Sequence, residues 1–117
     1  MERLDEASVA AGIAGSRWDR EGDWLVCTRS FAGFAEAVSF VDRVAVLAER
    51  HDHHPDITIS YNRVTLRLTT HDAGGLTGAD LDLASALDAI GDPPADHPVD
   101  PLGDDPSDPL GDDAGRE

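Results

Sequence analysis

The chain of 117 residues carries 24 acidic residues, nine arginines and no lysine, which gives a net charge of −15. A chain of this length folds as one domain at most. Its acidity disfavours nucleic acid and anionic membrane surfaces, because both are bound through basic patches. No segment approaches the ~18 apolar residues of a membrane helix, and the single Cys27 cannot form an internal disulfide. We therefore expect a cytoplasmic protein with no nucleic-acid and no membrane partner.

The composition divides the chain near residue 92. Residues 1–92 hold sixteen acids and eight arginines, whereas residues 93–117 hold eight acids and one arginine. The second part contains an imperfect eight-residue repeat rich in Asp, Pro and Gly, with too little apolar surface to offset the entropy of ordering. A calcium-binding array is the alternative, but two copies are too few for one. The composition predicts a domain over 1–92 followed by a disordered acidic tail.

Hydrophobic periodicity divides the domain into helical and strand segments. In chain order these are a helix over 5–14, strands over 17–31 with a turn at 21–23, a helix over 33–51, a hairpin over 56–70, and a helix that starts at Thr77 and stops at Gly91. Asp5 can cap the first helix, and Thr77 with Asp80 three residues later resembles a capping box for the last. Cys27 lies in an alternating apolar run, which favours a packed side chain over a nucleophile.

Two of these segments carry the clearest patterns. In the helix over 33–51, apolar residues recur every three or four positions, which predicts a buried face made of Phe34, Val38, Val41, Val44, Ala45 and Ala48. In the hairpin, apolar and polar residues alternate up to Tyr61 and again from Val64. This pattern predicts a two-residue turn at Asn62-Arg63.

The predicted fold class is α+β. Both strand pairs have short connections and should therefore be antiparallel. We expect a four-stranded antiparallel sheet with three helices packed on one face, in the order α-β-β-α-β-β-α. A domain of this size buries only ~60–65% of its unfolded surface, and the sheet keeps open edges. Both features favour self-association.

Four of the five histidines fall within residues 51–71. His53 and His54 follow the long helix, and His71 follows the last strand. Because a hairpin returns the chain to its starting end, residue 71 should lie opposite residue 53 or 54. Imidazole donates and accepts protons near neutral pH. The hairpin therefore predicts three imidazoles at one end of the sheet, suited to acid–base chemistry on a substrate that loses water.

Nearby carboxylates allow two further interpretations. Asp80 begins the last helix close in sequence to His71, so it could orient that ring while also capping the helix. A zinc site could draw on the histidines with Asp52, Asp56 and Asp72. Adjacent His53 and His54 diverge in an extended chain, however, and the sequence has no Cys pair, so we expect no metal.

Several short motifs occur together at specific spacings. The pattern begins with an acid, followed after three further residues by His-His-Pro. An aromatic residue, a later His and finally an Asp come after it. The segments that carry them are residues 49–55, Tyr61-Asn62, Thr70-His71, 75–77 and 80–84. This pattern resembles the pterin-4a-carbinolamine dehydratase family. Trp18, Phe31 and the helix through 43–45 also fit, so the resemblance covers roughly residues 4–90.

The resemblance implies an enzyme that dehydrates 4a-hydroxytetrahydrobiopterin, or a related 4a-hydroxytetrahydropterin, to the quinonoid dihydropterin and water. This reaction returns the cofactor after an aromatic amino-acid hydroxylase turns over. The resemblance also implies a homodimer or homotetramer that needs no metal or organic cofactor. Carried over by position, the pterin site is lined by Asp52, His53, His54, Thr69, Thr70, His71 and Asp72.

The same resemblance suggests a division of labour. His53 and His71 are expected to carry the proton transfers: one protonates the departing 4a-hydroxyl and the other accepts the N5 proton. His54 is expected to hold the pterin ring, and Asp80 to support His71. The remaining histidine of the segment, His51, is expected to be a solvated residue at the helix end.

One departure and two alternatives remain. Family members often carry an aromatic residue shortly after His-His-Pro, where this chain has Ile57-Thr58; this difference would alter how the pterin side chain is held. The same fold can serve as a non-catalytic binding, assembly or dimerisation partner. Loss of the histidine set would favour that role, but in this chain the set is intact. A dehydratase for a molybdopterin-related pterin would use the same catalytic step, so the sequence does not separate it.

Overall fold

The computed structural model describes residues 2–91, so the tail predicted over 93–117 lies outside the described residues. The elements are α1 (Glu6–Ile13), β1 (Asp19–Glu21), β2 (Trp24–Ser30), α2 (Phe34–His51), β3 (Asp56–Ser60), β4 (Arg63–Leu68) and α3 (Gly78–Asp88), with a 3₁₀ turn at His71–Ala73. This is the α+β order predicted from the sequence. None of the helices in the described part is long and apolar enough to cross a membrane.

The four strands form one antiparallel sheet in the order β1-β2-β4-β3. Alternation along the two central strands puts one set of side chains on the helical face, where they are buried. These residues are Leu25, Cys27, Arg29, Val64, Leu66 and Leu68. Phe40 and Val44 from α2 and Leu83 and Leu87 from α3 complete the same hydrophobic core. The predicted packing of Cys27 is confirmed, and burial raises the pKa of its thiol, which disfavours a nucleophilic role.

The buried face of α2 differs from the one predicted. The helix buries Ala37, Phe40, Val44 and Ala48, whereas Phe34 remains 54% exposed. The helix contacts both the sheet and α3, so its buried stripe is rotated toward α3. Periodicity along one helix reports an apolar stripe but not the direction from which a second helix packs.

The hairpin turn is also displaced by one residue from its predicted position. Ser60 pairs with Arg63, so the turn is Tyr61-Asn62, and Tyr61 adopts a φ of 51°. Asn62 is held from outside the hairpin: its carbonyl accepts from the Phe31 amide at 2.8 Å, and its Nδ2 donates to the Phe31 carbonyl at 2.8 Å. These tertiary hydrogen bonds, which alternation does not reveal, hold Asn62 in the turn.

Candidate active site

The end of α2 and the end of β4 border one open pocket of about 300 Å³. Its lining consists of Asp52, His53, His54, Thr69, Thr70, His71 and Asp72. The structure therefore brings together the three imidazoles expected from the hairpin geometry and all seven residues expected to line the site. His51, the last residue of α2, is exposed and is not among the lining residues.

The end of α2 separates the two adjacent histidines. Asp52 adopts a left-handed conformation with a φ of 50°, and the His53 amide donates to the Ala48 carbonyl at 3.1 Å. This cap ends the helix and starts the extended chain that leads into β3. Successive side chains of an extended chain point to opposite sides. His53 consequently points inward with a side chain only 15% exposed, and His54 points outward with 57% exposed.

Asp80 is fully buried and accepts hydrogen bonds from three groups. Its Oδ1 lies 2.6 Å from Nε2 of His53. Its Oδ2 accepts from Oγ1 of Thr70 at 2.7 Å and from the amide of Thr77 at 2.9 Å. An ionised carboxylate only accepts, so Nε2 of His53 is the donor and Nδ1 is the nitrogen left open in the neutral ring. The buried pair thus fixes the tautomer and orientation of His53.

The predicted support of His71 by Asp80 is therefore wrong: the carboxylate holds His53. Extending the β3–β4 register puts His53 opposite Thr70 on the helical side, where α3 presents Asp80. His71 follows Thr70 directly and points to the other side. The predicted capping box is confirmed, because Asp80 accepts from the Thr77 amide and the Thr77 hydroxyl accepts from the Ala79 amide. One carboxylate thus both caps α3 and orients an imidazole.

Glu49 was part of the sequence motif, and the structure shows what it contacts. Its Oε2 lies 2.6 Å from Nε2 of His54. Both side chains are largely exposed, so solvent weakens this pair. The contact holds the ring of His54 beside the last turn of α2, at the outer wall of the pocket.

Comparison with known proteins shows the family of this chain. The family model described as pterin 4 alpha carbinolamine dehydratase matches residues 2–90. The chain belongs to this family. Relatives provisionally named pterin-4-alpha-carbinolamine dehydratase include one from Thermomicrobium roseum, 57% identical over 74% of this chain and 95% of its own length. Another from Chloroflexus aurantiacus is 53% identical over 77% of this chain and 98% of its own length.

Solved structures share the fold. A transcriptional coactivator/pterin dehydratase from Brucella melitensis aligns with a TM-score of 0.71 and 30% identity, covering 75% of this chain and 97% of its own. A pterin dehydratase-like protein described as a RuBisCO assembly factor in the alpha-carboxysome aligns with a TM-score of 0.52 and 24% identity, covering 67% of this chain and 90% of its own. The second likeness shows the fold alone.

In this member of the carbinolamine dehydratase family, one residue of the pocket wall makes an aromatic contact that the sequence did not predict. The rings of Trp24 and His71 meet edge to face, with centroids 5.7 Å apart and planes at 79°. Beside them, the hydroxyl of Thr69 donates to the carbonyl of Asp23 at 2.6 Å. Trp24 carried no sequence signal beyond alternation in β2, because the contact depends on how β2 and β4 align.

The charged residues that line the pocket are acidic. Asp52 and Asp72 belong to the lining, which includes no arginine. Asp80 lies directly behind His53. Within residues 2–91, no group of three or more His, Cys, Asp and Glu side chains converges in a way that could hold a metal ion. The pocket therefore offers imidazoles, threonine hydroxyls and carboxylates to a polar ligand.

Proposed function

We propose that this chain catalyses the dehydration of a 4a-hydroxytetrahydropterin by histidine acid–base chemistry, with no metal or organic cofactor. The observation that carries the proposal is the pairing of His53 with the buried Asp80 at a pocket that His54 and His71 also line. A buried carboxylate that fixes an imidazole tautomer is the arrangement that proton-transferring enzymes use. Membership of the family supports a pterin as the substrate.

The reaction needs two proton transfers. The C4a–O bond breaks and the oxygen leaves as water after it gains a proton, while N5 loses a proton and a C4a=N5 double bond forms. His53 suits the base, because Asp80 holds Nε2 as a donor and stabilises the positive charge that forms when Nδ1 accepts the N5 proton. His71, across the pocket, then donates to the departing hydroxyl. Each transfer contributes about 10²–10⁴-fold to the rate.

The charge of the pocket favours an uncharged pterin side chain. Asp52 and Asp72 would repel a phosphate, and the lining includes no arginine to offset them. This supports 4a-hydroxytetrahydrobiopterin, whose side chain is neutral, over a molybdopterin-related compound that bears phosphate. In the cell, the reaction would convert the spent cofactor of aromatic amino-acid hydroxylases to the quinonoid dihydropterin, which a separate reductase would then reduce to tetrahydropterin.

The direct test is a dehydration assay with freshly generated 4a-hydroxytetrahydrobiopterin. We expect His53→Ala and His71→Ala each to lower kcat by about 10²-fold or more, because each removes one proton transfer. His51→Ala is the matched control: it removes an exposed imidazole outside the pocket and should leave the rate unchanged. A wild-type protein with no activity on this compound or on its phosphorylated analogue would contradict the proposal and favour a binding role.

We also propose that the chain self-associates through β3. This strand has no partner on its outer side among the residues described, and it exposes Ile57 by 39% and Ile59 by 38%. Open apolar edges of this kind pair with further strands. Sedimentation should show a dimer or tetramer that Ile59→Lys dissociates. A monomeric wild-type protein would contradict this assignment without affecting the catalytic one.

A further inference from the structure

His71 is held differently from the other two imidazoles of the pocket. His53 and His54 each have a carboxylate 2.6 Å from Nε2. Within the described residues, the ring of His71 makes no hydrogen bond, and its side chain is exposed at the start of the 3₁₀ turn. Its ring contact is with Trp24, at a centroid distance of 5.7 Å. Without that contact, the imidazole would be free to take several orientations by rotation about its side-chain bonds.

Trp24 has a second contact, with Arg67. The guanidinium carbon of Arg67 lies 4.9 Å from the centroid of the Trp24 ring. Arg67 also approaches Glu21 of β1, with Nη1 3.7 Å from Oε1. The indole therefore contacts both the guanidinium of Arg67 and the ring of His71, and Trp24 and Arg67 both lie on paired strands. A half-buried aromatic ring with both contacts can favour one orientation of an exposed neighbouring ring.

We propose that Trp24 is a positioning residue, whose ring holds the imidazole of His71 in the orientation needed for proton transfer. The inference rests on the proposed dehydratase function. An edge-to-face aromatic contact favours one ring orientation by roughly 2- to 10-fold. Losing it therefore lowers the fraction of enzyme in which His71 is aligned, which lowers kcat while leaving pterin binding nearly intact.

Three variants test the proposal. Trp24→Leu should lower kcat by roughly 3- to 10-fold and change KM by less than about 2-fold. Trp24→Phe keeps an aromatic ring and should restore most of the rate. Val26→Ala is the control, because it removes apolar atoms from the same face of the same strand and should leave kcat unchanged. Equal losses in the Leu and Phe variants, or an unchanged rate in Trp24→Leu, would overturn the proposal.

A double-mutant cycle separates positioning from general damage. In a His71→Ala background, Trp24→Leu should cause no further loss, because the residue through which Trp24 acts is already absent. An independent loss of the same size in both backgrounds would contradict the inference. If His71→Ala is inactive in the assay and Trp24→Leu is not impaired, the proposed function stands and only the role of Trp24 fails.

A structural readout does not depend on activity. The indole ring current shifts the ring-proton NMR signals of His71, so these signals should move toward those of a free histidine in Trp24→Leu and move less in Trp24→Phe. Unchanged signals in Trp24→Leu would show that the indole does not orient the imidazole. This measurement decides whether Trp24 orients the ring of His71 even if the wild-type protein proves not to dehydrate pterins.

Discussion

Two histidine–carboxylate pairs flank the pocket with the same separation and opposite surroundings. His53 and Asp80 lie 2.6 Å apart with side chains 15% and 0% exposed, whereas His54 and Glu49 lie 2.6 Å apart with 57% and 77% exposed. Within residues 2–91, the carboxylate of Asp80 accepts two further hydrogen bonds, from Thr70 and Thr77, and the carboxylate of Glu49 accepts none. Judged by the distance between nitrogen and oxygen alone, the two pairs would be equally strong.

Their environments separate them. An exposed ion pair gains little, because water and salt screen it and both side chains lose freedom. A buried carboxylate is costly unless donors surround it, and once they do, it holds one geometry. We therefore expect chemistry to depend on the His53–Asp80 pair and hardly at all on the other.

The largest expected effect comes from Asp80→Asn. The amide can keep accepting from Thr70 and Thr77 only by turning its NH₂ toward His53, which forces Nε2 to become the acceptor and puts the ring proton on Nδ1. The base is then blocked, and kcat should fall by roughly 10²-fold or more. Steady-state dehydration kinetics measure this, with exposed Asp82→Asn on the same helix as the control. A loss below about threefold would show that the tautomer does not matter.

A smaller effect is expected from Thr70→Val. The change keeps the shape of the side chain but removes the hydroxyl donor to Asp80, so the carboxylate loses one of its three partners. The free energy of unfolding should fall by about 1–2 kcal/mol, as measured by chemical denaturation.

Thr65→Val provides the comparison for that variant. Its hydroxyl lies 3.1 Å from that of Thr28 on the exposed face of the sheet, where water replaces a lost partner. The unfolding free energy should change by less than about 0.5 kcal/mol. Equal destabilisation in the two threonine variants would argue against a special role for the buried network.

The smallest effect is expected from Glu49→Gln. The exposed His54 loses a screened partner, so kcat should change by less than about threefold. Raising the salt concentration of the wild-type enzyme should likewise leave kcat nearly constant, because the buried pair is shielded from ions. A large loss in Glu49→Gln would show that His54 takes part in proton transfer and would reverse the ranking of the two pairs.

The hydrogen-bond partner of Asp80 shows which features of the site the sequence could predict and which it could not. The capping box identified Asp80 as the third residue of α3, and the hairpin pattern brought three imidazoles to one end of the sheet; both predictions hold. Nearness in sequence then suggested His71 as the partner of Asp80. The structure instead gives His53, because consecutive residues Thr70 and His71 point to opposite sides of the chain.

The other differences have a similar origin. The apolar–polar alternation continues through Tyr61, so the turn was predicted one residue too late. The hydrogen bonds between Asn62 and Phe31 that hold the turn join segments far apart in sequence, so the local pattern does not reveal them. The apolar residues of α2 predicted a helix but not which flank would meet α3, which is why Phe34 was expected inside and lies outside.

Local patterns determined the elements, their order and the convergence of the histidines, because periodicity, caps and short connections act between residues close in the chain. Tertiary structure alone decided which carboxylate holds which imidazole and that Trp24 meets His71. Those contacts join separate elements, and they depend on strand register and helix packing direction. A shift of a single residue in that register sends a side chain to the other face of the sheet.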